Sequence, residues 1–304
     1  MSKRLIVFLT LATCYLTLAA YAQGQAGTDF AVLGAGVGAR ALGMGSAFTA
    51  VADNADAPYW NPAGLGSVSS SEITTMQTRL SSDTDHYYVS YVRPAFGGTL
   101  GISWVQVGLA NIAQTSAEVD QHNEVQTLGM FSYFSNAYLL AYGRQLSDRL
   151  SVGLTGKYLT SDMAGIGGGQ ASGFSVSPGL LLSLPRLKVG LKIDELINQQ
   201  TWGTGTVERV PPTLRLGLAY QGLAGSLFAC DVSQTVRTGY SPAVTLGYEG
   251  AIYRGIAFRA GFGSSGLTAG AGFAFQHAVV DYAYVNQPSL SRDNVHRISL
   301  SGVW

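Results

Sequence analysis

From Glu72 to the C-terminus, apolar and polar residues alternate with a period of two in many short segments. The pattern is clear in Leu150–Tyr158, in Leu187–Ile193 and in the final run, Arg297–Trp304. Such alternation indicates β-strands whose two faces meet different surroundings. We therefore expect an all-β fold in this region, either a soluble sandwich or a membrane barrel.

The connections between the candidate strands alternate in length, which favours a transmembrane antiparallel β-barrel. Short turns at one rim and long loops at the other are typical of such barrels, whereas a soluble sandwich has no reason to sort its loops. We count about fourteen strands, with twelve as the alternative. They are 72–80, 86–93, 98–109, 132–146, 150–160, 172–184, 186–196, 212–221, 225–234, 241–249, 252–263, 267–276, 278–286 and 294–304. The tight connections are Pro94–Gly97, Ser147–Arg149, Pro185, Gly222–Ala224, Gly250-Ala251 and His277, and the long ones are Ala110–Phe131, Ser161–Ala171, Ile197–Pro211 and Gln287–Asp293.

The composition agrees with a barrel in contact with outer-membrane lipid. The mean hydropathy is +0.19, yet no segment after the N-terminus has the roughly 18 unbroken apolar residues of a membrane helix. The net charge is zero and only 12% of residues are charged, so no basic surface is expected for nucleic acid. The C-terminal Trp304 and the aromatics near strand ends are expected to form interfacial girdles. These aromatics are Trp104, Tyr158, Tyr220, Tyr248, Tyr284 and Trp304.

The N-terminus reads as a secretory signal peptide, residues 1–22. Lys3 and Arg4 precede the apolar run Leu5–Leu18, and Ala20–Ala22 supplies a small-x-small cleavage site. Cys14 offers an alternative as a lipoprotein acylation site, but it lies within the apolar run. After cleavage only Cys230 remains, so no internal disulfide is expected.

Residues 23–70 are predicted to form a plug segment ahead of the barrel, which spans residues 71–304. The stretch Ala41–Gly66 is rich in small residues, and its Asn-Pro dipeptide predicts a tight turn. Its role is either to fill the barrel or to form a gate or ligand shelf. The candidate site residues are Gly43, Gly45, Asp53, Asp56, Trp60, Asn61, Pro62 and Ala63.

With the apolar strand faces outward, charged residues on the other faces would line the lumen. Mixed charges of this kind usually pair and solvate a wall, and no ring of a single sign indicates a strongly selective pore. The predicted lumen residues are Lys157, Lys188, Lys192, Arg215, Glu249, Arg259, Asp281 and Arg297.

No motif indicates an enzyme, a cofactor or a metal. The run Gly34–Gly38 lacks the spacing and the βαβ context of a dinucleotide site, and the four histidines are isolated. Asp53–Asp56 lacks the glycine and distal glutamate of an EF-hand, so a turn or a helix cap is the expected use.

One group of segments carries a family resemblance: Gly38–Gly45, Ala47–Asp53 and Tyr59–Leu65, and more loosely Tyr142–Leu146 and Gly156–Tyr158. These segments resemble the PorV/PorQ family of bacterial outer-membrane proteins, and the resemblance extends loosely to the end of the chain. Asn61–Ala63 matches an Asn-Pro-Ala motif of the wider FadL-like transporters. The resemblance implies a fourteen-stranded barrel with an N-terminal segment inside the lumen.

The resemblance implies two alternative functions. One is a secretion-associated interaction component of the type IX kind, whose partners would be secreted cargo or secretion-system proteins. The other is a FadL-like channel for hydrophobic small molecules. The loops of this chain are short for a secretion shuttle, and cargo would have to bind Ala110–Phe131 and Ile197–Pro211.

Overall fold

The computed structural model describes residues 30–81, 83–119, 122–253, 255–263, 266–286 and 294–304. The predicted signal peptide lies outside these residues. Two short helices precede the strands, α1 (Ala39–Gly43) and α2 (Ala57–Trp60), and they are followed by a 3-10 helix over Pro62–Ser67.

In the part of the chain that the structure describes, sixteen strands follow, with one further 3-10 turn at Leu223–Gly225. They are β1 (Glu72–Ser81), β2 (Thr84–Ala95), β3 (Gly98–Val119), β4 (Val125–Ser147), β5 (Leu150–Ala164), β6 (Gln170–Ser183), β7 (Leu187–Asp194), β8 (Ile197–Trp202), β9 (Val207–Glu208), β10 (Thr213–Gln221), β11 (Leu227–Thr235), β12 (Ala243–Tyr253), β13 (Ile256–Gly263), β14 (Gly266–Phe275), β15 (Ala278–Val285) and β16 (Val295–Val303).

Strands β1–β7 and β10–β16 form a closed antiparallel barrel of 14 strands. Each pairs with its neighbours in chain order, β7 pairs with β10, and β16 returns to β1 with Gly302 opposite Ile73. Strand β8 pairs with the first half of β6, next to the second half that pairs with β7, and it forms a hairpin with β9. The predicted fold class, a fourteen-stranded barrel, is confirmed.

The segment Ala110–Phe131 is not the loop that the sequence predicted, because β3 and β4 continue as a long paired hairpin. The ladder slips by a β-bulge between Leu109 and Ile112, where Asn111 has a φ of 58°. A bulge shifts the side-chain alternation by one residue. The period of two therefore breaks at Leu109 although the strand continues.

The turn predicted at Gly250-Ala251 is also wrong. Strand β12 continues to Tyr253, which pairs with Ile256 at the start of β13. The turn instead contains Gly255, which has a φ of 78°. Glycine adopts this left-handed conformation without strain. The predicted loop Ile197–Pro211 contains the β8–β9 hairpin.

The outer face of the barrel is apolar. Along β16, Ile298 and Leu300 are 56% and 52% exposed, whereas Arg297 and Ser299 on the opposite face are buried. Around the ring, apolar side chains face outward and polar side chains face inward, which is the reverse of a soluble protein and is what contact with lipid requires. Other large apolar residues on the outside are Ile102, Leu140, Leu154, Phe174, Leu218, Phe228, Leu246, Phe262, Leu267 and Phe273.

Aromatic side chains on this surface meet in pairs, either between the neighbouring strands β4 and β5 or between β2 and the end of β16, with β1 between them. Tyr91 stacks on Trp304 at 6.1 Å between ring centroids, and Tyr138 stacks on Tyr158 at 6.3 Å. Among the described residues, no helix is long and apolar enough to cross a membrane.

Candidate functional site

The described part of the N-terminal segment, residues 30–70, lies inside the barrel, and we call it the plug. Its buried side chains, such as Val37, Phe48 and Leu65, form one core with inward residues of the wall, such as Tyr88 and Leu139. The plug and the wall are thus packed together like the interior of a globular protein. Any candidate site inside the barrel therefore includes residues of the plug.

Three sets of wall glycines, here called the glycine sockets, receive the plug backbone. In the first, Gly143, Gly153 and Gly179 lie opposite one another on β4, β5 and β6. A Cβ atom at Gly153 would lie 2.2 Å from the carbonyl carbon of Pro62, and one at Gly179 would lie 2.2 Å from Oδ1 of Asn61. No side chain larger than glycine fits there while the plug is in place.

The second socket pairs Gly190 of β7 with Gly217 of β10. A Cβ atom would lie 2.4 Å from the carbonyl oxygen of Thr49 at the first glycine, and 2.8 Å from the nitrogen of Ala50 at the second. Glycine therefore permits this close approach between two backbones.

The third socket pairs Gly247 of β12 with Gly261 of β13. A Cβ atom at Gly261 would lie 2.1 Å from the nitrogen of Gly45, and one at Gly247 would lie 2.6 Å from the carbonyl oxygen of Met44. Beside this socket, Gly43 packs against Gly270 of β14.

A chain of charged side chains joins the plug to the wall. Arg40 contacts Asp53 of the plug at 2.6 Å and forms a bidentate pair with Glu249 of β12, with both bonds at 2.8 Å. Glu249 also accepts from Arg259 at 2.6 Å, and Arg259 donates to Asp281 at 2.7 Å. The five charges alternate in sign, so each lies beside an opposite charge.

Polar wall side chains also hold the backbone of the plug. Asp231 accepts from the N–H groups of Phe48 and Thr49, at 3.0 and 2.9 Å. Thr268 accepts from the N–H of Gly45 at 3.0 Å. These bonds satisfy N–H groups that would otherwise be buried without partners. Ser299 likewise accepts from the N–H of Ala39, whereas Thr155 and Ser90 donate to the backbone carbonyls of Pro58 and Ala55.

Asn61 connects three parts of the structure. It is fully buried, its Nδ2 donates to the carbonyl of Thr49 at 2.8 Å and of Leu180 at 3.3 Å, and its Oδ1 accepts from the N–H of Ala63 at 3.1 Å. The last bond caps the 3-10 helix that Pro62 begins. The Asn-Pro turn is therefore a structural joint between the plug and the wall.

A second charged cluster lies between the plug and strands β5, β7 and β10. Lys157 pairs with Glu195, while Asp194 accepts from Lys192 at 2.5 Å and from Arg215 at 2.6 Å. Lys192 also donates to the backbone carbonyl of Tyr59 in the plug. These cations therefore serve mainly to pair with the neighbouring carboxylates and to hold the backbone of the plug.

The remaining predicted site residues lie apart from one another. Trp60 is buried and donates to the carbonyl of Val37 at 3.0 Å. Lys188 lines a small pocket beside Arg40 and Asp53 at the short-turn rim. The site residues predicted from the sequence do not include Arg40, Asp231, Asp194 or Glu195. The alternation of β7 and β11 could have pointed to the two aspartates.

Asp56 is a buried carboxyl in the plug, only 2% exposed. Its backbone N–H donates to Asn54 Oδ1 at 3.1 Å, and its Oδ2 accepts from Asn54 Nδ2 at 3.2 Å. The residue begins α2 without a side-chain capping bond, so the turn is the observed use. Burial raises the pKa of Asp56 from 3.8 to about 6, and nearby Asp281 adds to this.

We expect stability to fall as the pH rises from about 4 to about 6. In that range the unfolded chain gives up a proton that Asp56 keeps in the fold, and above it the buried charge costs up to about 3 kcal/mol. Asp56→Asn, which resembles the protonated form, should flatten this part of the profile and raise the melting temperature at neutral pH. Thermal unfolding in detergent at several pH values tests this, and an unchanged profile in the variant would contradict it.

A cavity of about 540 Å³ lies between the plug and the long-loop rim. Its plug side is largely apolar, with Leu33, Leu42 and Trp60, and its wall side carries many hydroxyl groups. A smaller pocket of about 270 Å³ lies at the opposite rim. The serine and threonine residues that line the large cavity are Ser46, Thr84, Thr213, Ser233, Thr235, Ser241, Thr245 and Thr268.

No protein-family model and no curated protein sequence matches the chain. Solved structures do. The toluene transporter TbuX of Ralstonia pickettii aligns with a TM-score of 0.62 at 14% identity, over 91% of this chain and 100% of that one. The toluene transporter TodX of Pseudomonas putida gives 0.60 at 14% identity, over 88% and 96%. A FadL homologue of Pseudomonas aeruginosa gives 0.55 at 12% identity, over 88% and 98%.

The chain has the fold of FadL-type outer-membrane barrels. At these identities the likeness concerns the fold alone. It does not extend to the PorV/PorQ assignment suggested by the N-terminal motif.

Proposed function

We propose that the protein is a non-enzymatic outer-membrane channel for small hydrophobic molecules. The observation that carries the proposal is the cavity of about 540 Å³ between the plug and the long-loop rim. A volume of this size lies in the usual range of small-molecule sites. Two of the solved relatives by fold are transporters of toluene, which supports the same class of solute.

The plug would act as the floor of the binding cavity and as the barrier to free diffusion. Its apolar residues supply contact area for the solute, and the bonds around Asn61 and Arg40 hold that surface in place. Passage would then require a rearrangement of the plug or of its neighbours, since the barrel centre is close-packed.

A substitution that places a large side chain on the wall of the cavity tests this proposal. Ala243 lines the cavity, whereas the next residue, Val244, faces outward and is 50% exposed. We expect Ala243→Trp to reduce uptake at least about tenfold, because a tryptophan fills a large part of the space. The matched control, Val244→Trp, should leave uptake within about twofold, because its side chain lies in lipid.

The measurement is uptake of radiolabelled toluene, benzyl alcohol and benzoate by cells that contain the protein or lack it. Heat-modifiable migration on SDS gels confirms that each variant is folded in the outer membrane. Absence of protein-dependent uptake for all three probes would contradict the channel proposal, as would equal uptake in the two tryptophan variants.

The long β3–β4 hairpin favours a second proposal, a secretion-associated role of the PorV/PorQ kind. Its strands have 22 and 23 residues, and beyond the bulge it exposes Val125, Leu128 and Met130 by 57%, 64% and 66%. Such a surface suits a protein partner. A photo-crosslinker at Leu128 should capture a secretion component or cargo in cells, and one at Leu146, at the other end of β4, should not. Equal capture at both positions, or none, would contradict this role.

A further inference from the structure

The short turns of the barrel carry an excess of positive charge. Residues 93–98, 144–150 and 184–187 belong to three turns at the same rim, and together they contain four arginines and one carboxylate. Short turns face the periplasm in outer-membrane barrels, so these cations lie at the level of the lipid headgroups of one leaflet. The arginines are Arg93, Arg144, Arg149 and Arg186, the carboxylate is Asp148, and all five are exposed.

Two of these arginines lie on the outer face of the wall, one on each side of β3. Val92, the residue before Arg93, is fully buried, and Gly143, the residue before Arg144, belongs to the first glycine socket. Side chains alternate between the two faces of a strand, so both arginines point outward. Their strands pair with the two edges of β3 and are thus two strand spacings apart, roughly 10 Å. Two arginine side chains can meet at one phosphate across this gap.

The outward side chains of β4 lean across β3 toward the β2–β3 turn. Tyr142 donates from its hydroxyl to the carbonyl of Phe96 at 3.0 Å. A Cβ atom at Gly97 would have the guanidinium carbon of Arg144 as its nearest neighbour, at 4.0 Å. The guanidinium of Arg144 is therefore directed toward Arg93. In the part of the chain that the structure describes, neither of the two arginines forms an ion pair.

Large apolar side chains surround these two arginines. Phe96 at the tip of the turn is 85% exposed, and farther along the outer wall Ile102 and Leu140 are 62% and 60% exposed. Beside the arginine of β2 lies the stacked pair of Tyr91 and Trp304. Phe96 has a φ of 56°, a conformation that is strained for a bulky residue. An aromatic side chain held at an exposed tip in this way suits a turn that lies in lipid rather than in water.

We propose that Arg93 and Arg144, here called the turn arginine pair, bind the headgroup of an anionic phospholipid in the leaflet at the short-turn rim. The forked guanidinium matches the oxygen geometry of a phosphate. A headgroup with a net negative charge also lacks the ammonium group that two arginines would repel. The acyl chains of the lipid lie along the outer wall, over Ile102 and Leu140. The site is on the lipid side of the wall and does not depend on what the barrel transports.

Native mass spectrometry of the folded protein in detergent tests the proposal. The protein is given equal amounts of phosphatidylglycerol and phosphatidylethanolamine with the same acyl chains, so that only the headgroup differs. We expect at least about fivefold more phosphatidylglycerol to remain bound, because basic residues at a membrane surface favour anionic lipid. Equal retention of the two lipids would overturn the proposal.

Variants locate the site. The double variant Arg93→Gln/Arg144→Gln should retain the two lipids equally to within about twofold, because glutamine keeps a polar side chain without the charge. Arg186→Gln, at another short turn, and Arg79→Gln, beside Asp85 near the opposite end of β1, are matched controls that should keep the preference. A loss in Arg186→Gln as large as in the double variant would show a diffuse positive rim and would contradict a defined site. Heat-modifiable migration confirms that each variant is folded.

Two further measurements distinguish lipid from other occupants. An excess of sodium phosphate should leave phosphatidylglycerol bound, since free phosphate has no acyl chains to pack on the wall. Displacement of the lipid by phosphate would show a site for free anions instead. A photo-crosslinker at Phe96 should form lipid adducts in cells, and a discrete protein adduct in their place would assign the turn to a protein partner and overturn the proposal.

Discussion

Gly153→Leu is expected to displace the plug and to destabilise the barrel strongly. At this position even a Cβ atom would lie 2.2 and 2.3 Å from the carbonyl carbon and oxygen of Pro62, and 2.5 Å from the nitrogen of Ala63. All three are backbone atoms that cannot rotate away. Overpacking of an interior costs about 1–3 kcal/mol, and contact with fixed backbone places this change at or above the upper end.

The matched control lies three residues along the same strand. Gly156 faces outward, and a Cβ atom there would have its nearest neighbour at 4.0 Å. Thermal unfolding and ion conductance in planar bilayers measure the two effects. Gly153→Leu should melt lower and conduct more than the wild type, while Gly156→Leu should match the wild type in both. Similar melting and conductance of the two leucine variants would show that the first glycine socket does not hold the plug.

Arg40→Met is expected to loosen the plug while the barrel remains folded. Arg40 is the cation between Asp53 and Glu249, with 18% of its side chain exposed. Its loss removes one of the two arginines that contact Glu249. Removal of one partner of a fully buried pair costs about 3–5 kcal/mol. Because Arg259 still neutralises Glu249 in part, we expect about 1–3 kcal/mol here.

A double-mutant cycle measures this coupling. Arg40→Met, Glu249→Gln and the double variant are compared by thermal unfolding and by protease cleavage within the plug, with Arg209→Met as an exposed control. We expect the two changes to be non-additive, since they remove the same contact. Additive effects, or a plug as resistant to protease in Arg40→Met as in the wild type, would show that the pair of Arg40 and Glu249 does not hold the plug.

The barrel could be predicted from the sequence because its strands and turns are determined by residues that are close together in the chain. Alternation of side chains along β5, β7 and β16 reports the two faces of each strand, and tight turns report the strand ends. The predicted strand ends were wrong where the local residue pattern differs from the pairing of the strands. At Asn111 a bulge interrupts the alternation within a continuous strand, and at Gly250 a turn-like residue lies inside one.

The contacts of the plug could not be predicted, because they join residues that are distant in sequence. Nothing local indicates that Gly153 faces Pro62, or that Asp231 receives the N–H of Thr49. The wall glycines are no different in the sequence from the glycines of turns. Likewise Arg297 and Arg259 both appear as inward cations, and only the neighbouring strands determine which has a carboxylate beside it.

The seam between β1 and β16 has a consequence for the order in which the molecule forms. Its strands are the first and last of the barrel, and Ile73 of one lies opposite Gly302 of the other. The plug precedes β1, and its bonds to β14 and β16 span 223 and 260 residues. Contacts of such long sequence separation form slowly. The folding chain must therefore keep its N-terminal segment within reach until its last strand arrives, which makes folding sensitive to any delay or truncation at the C-terminus.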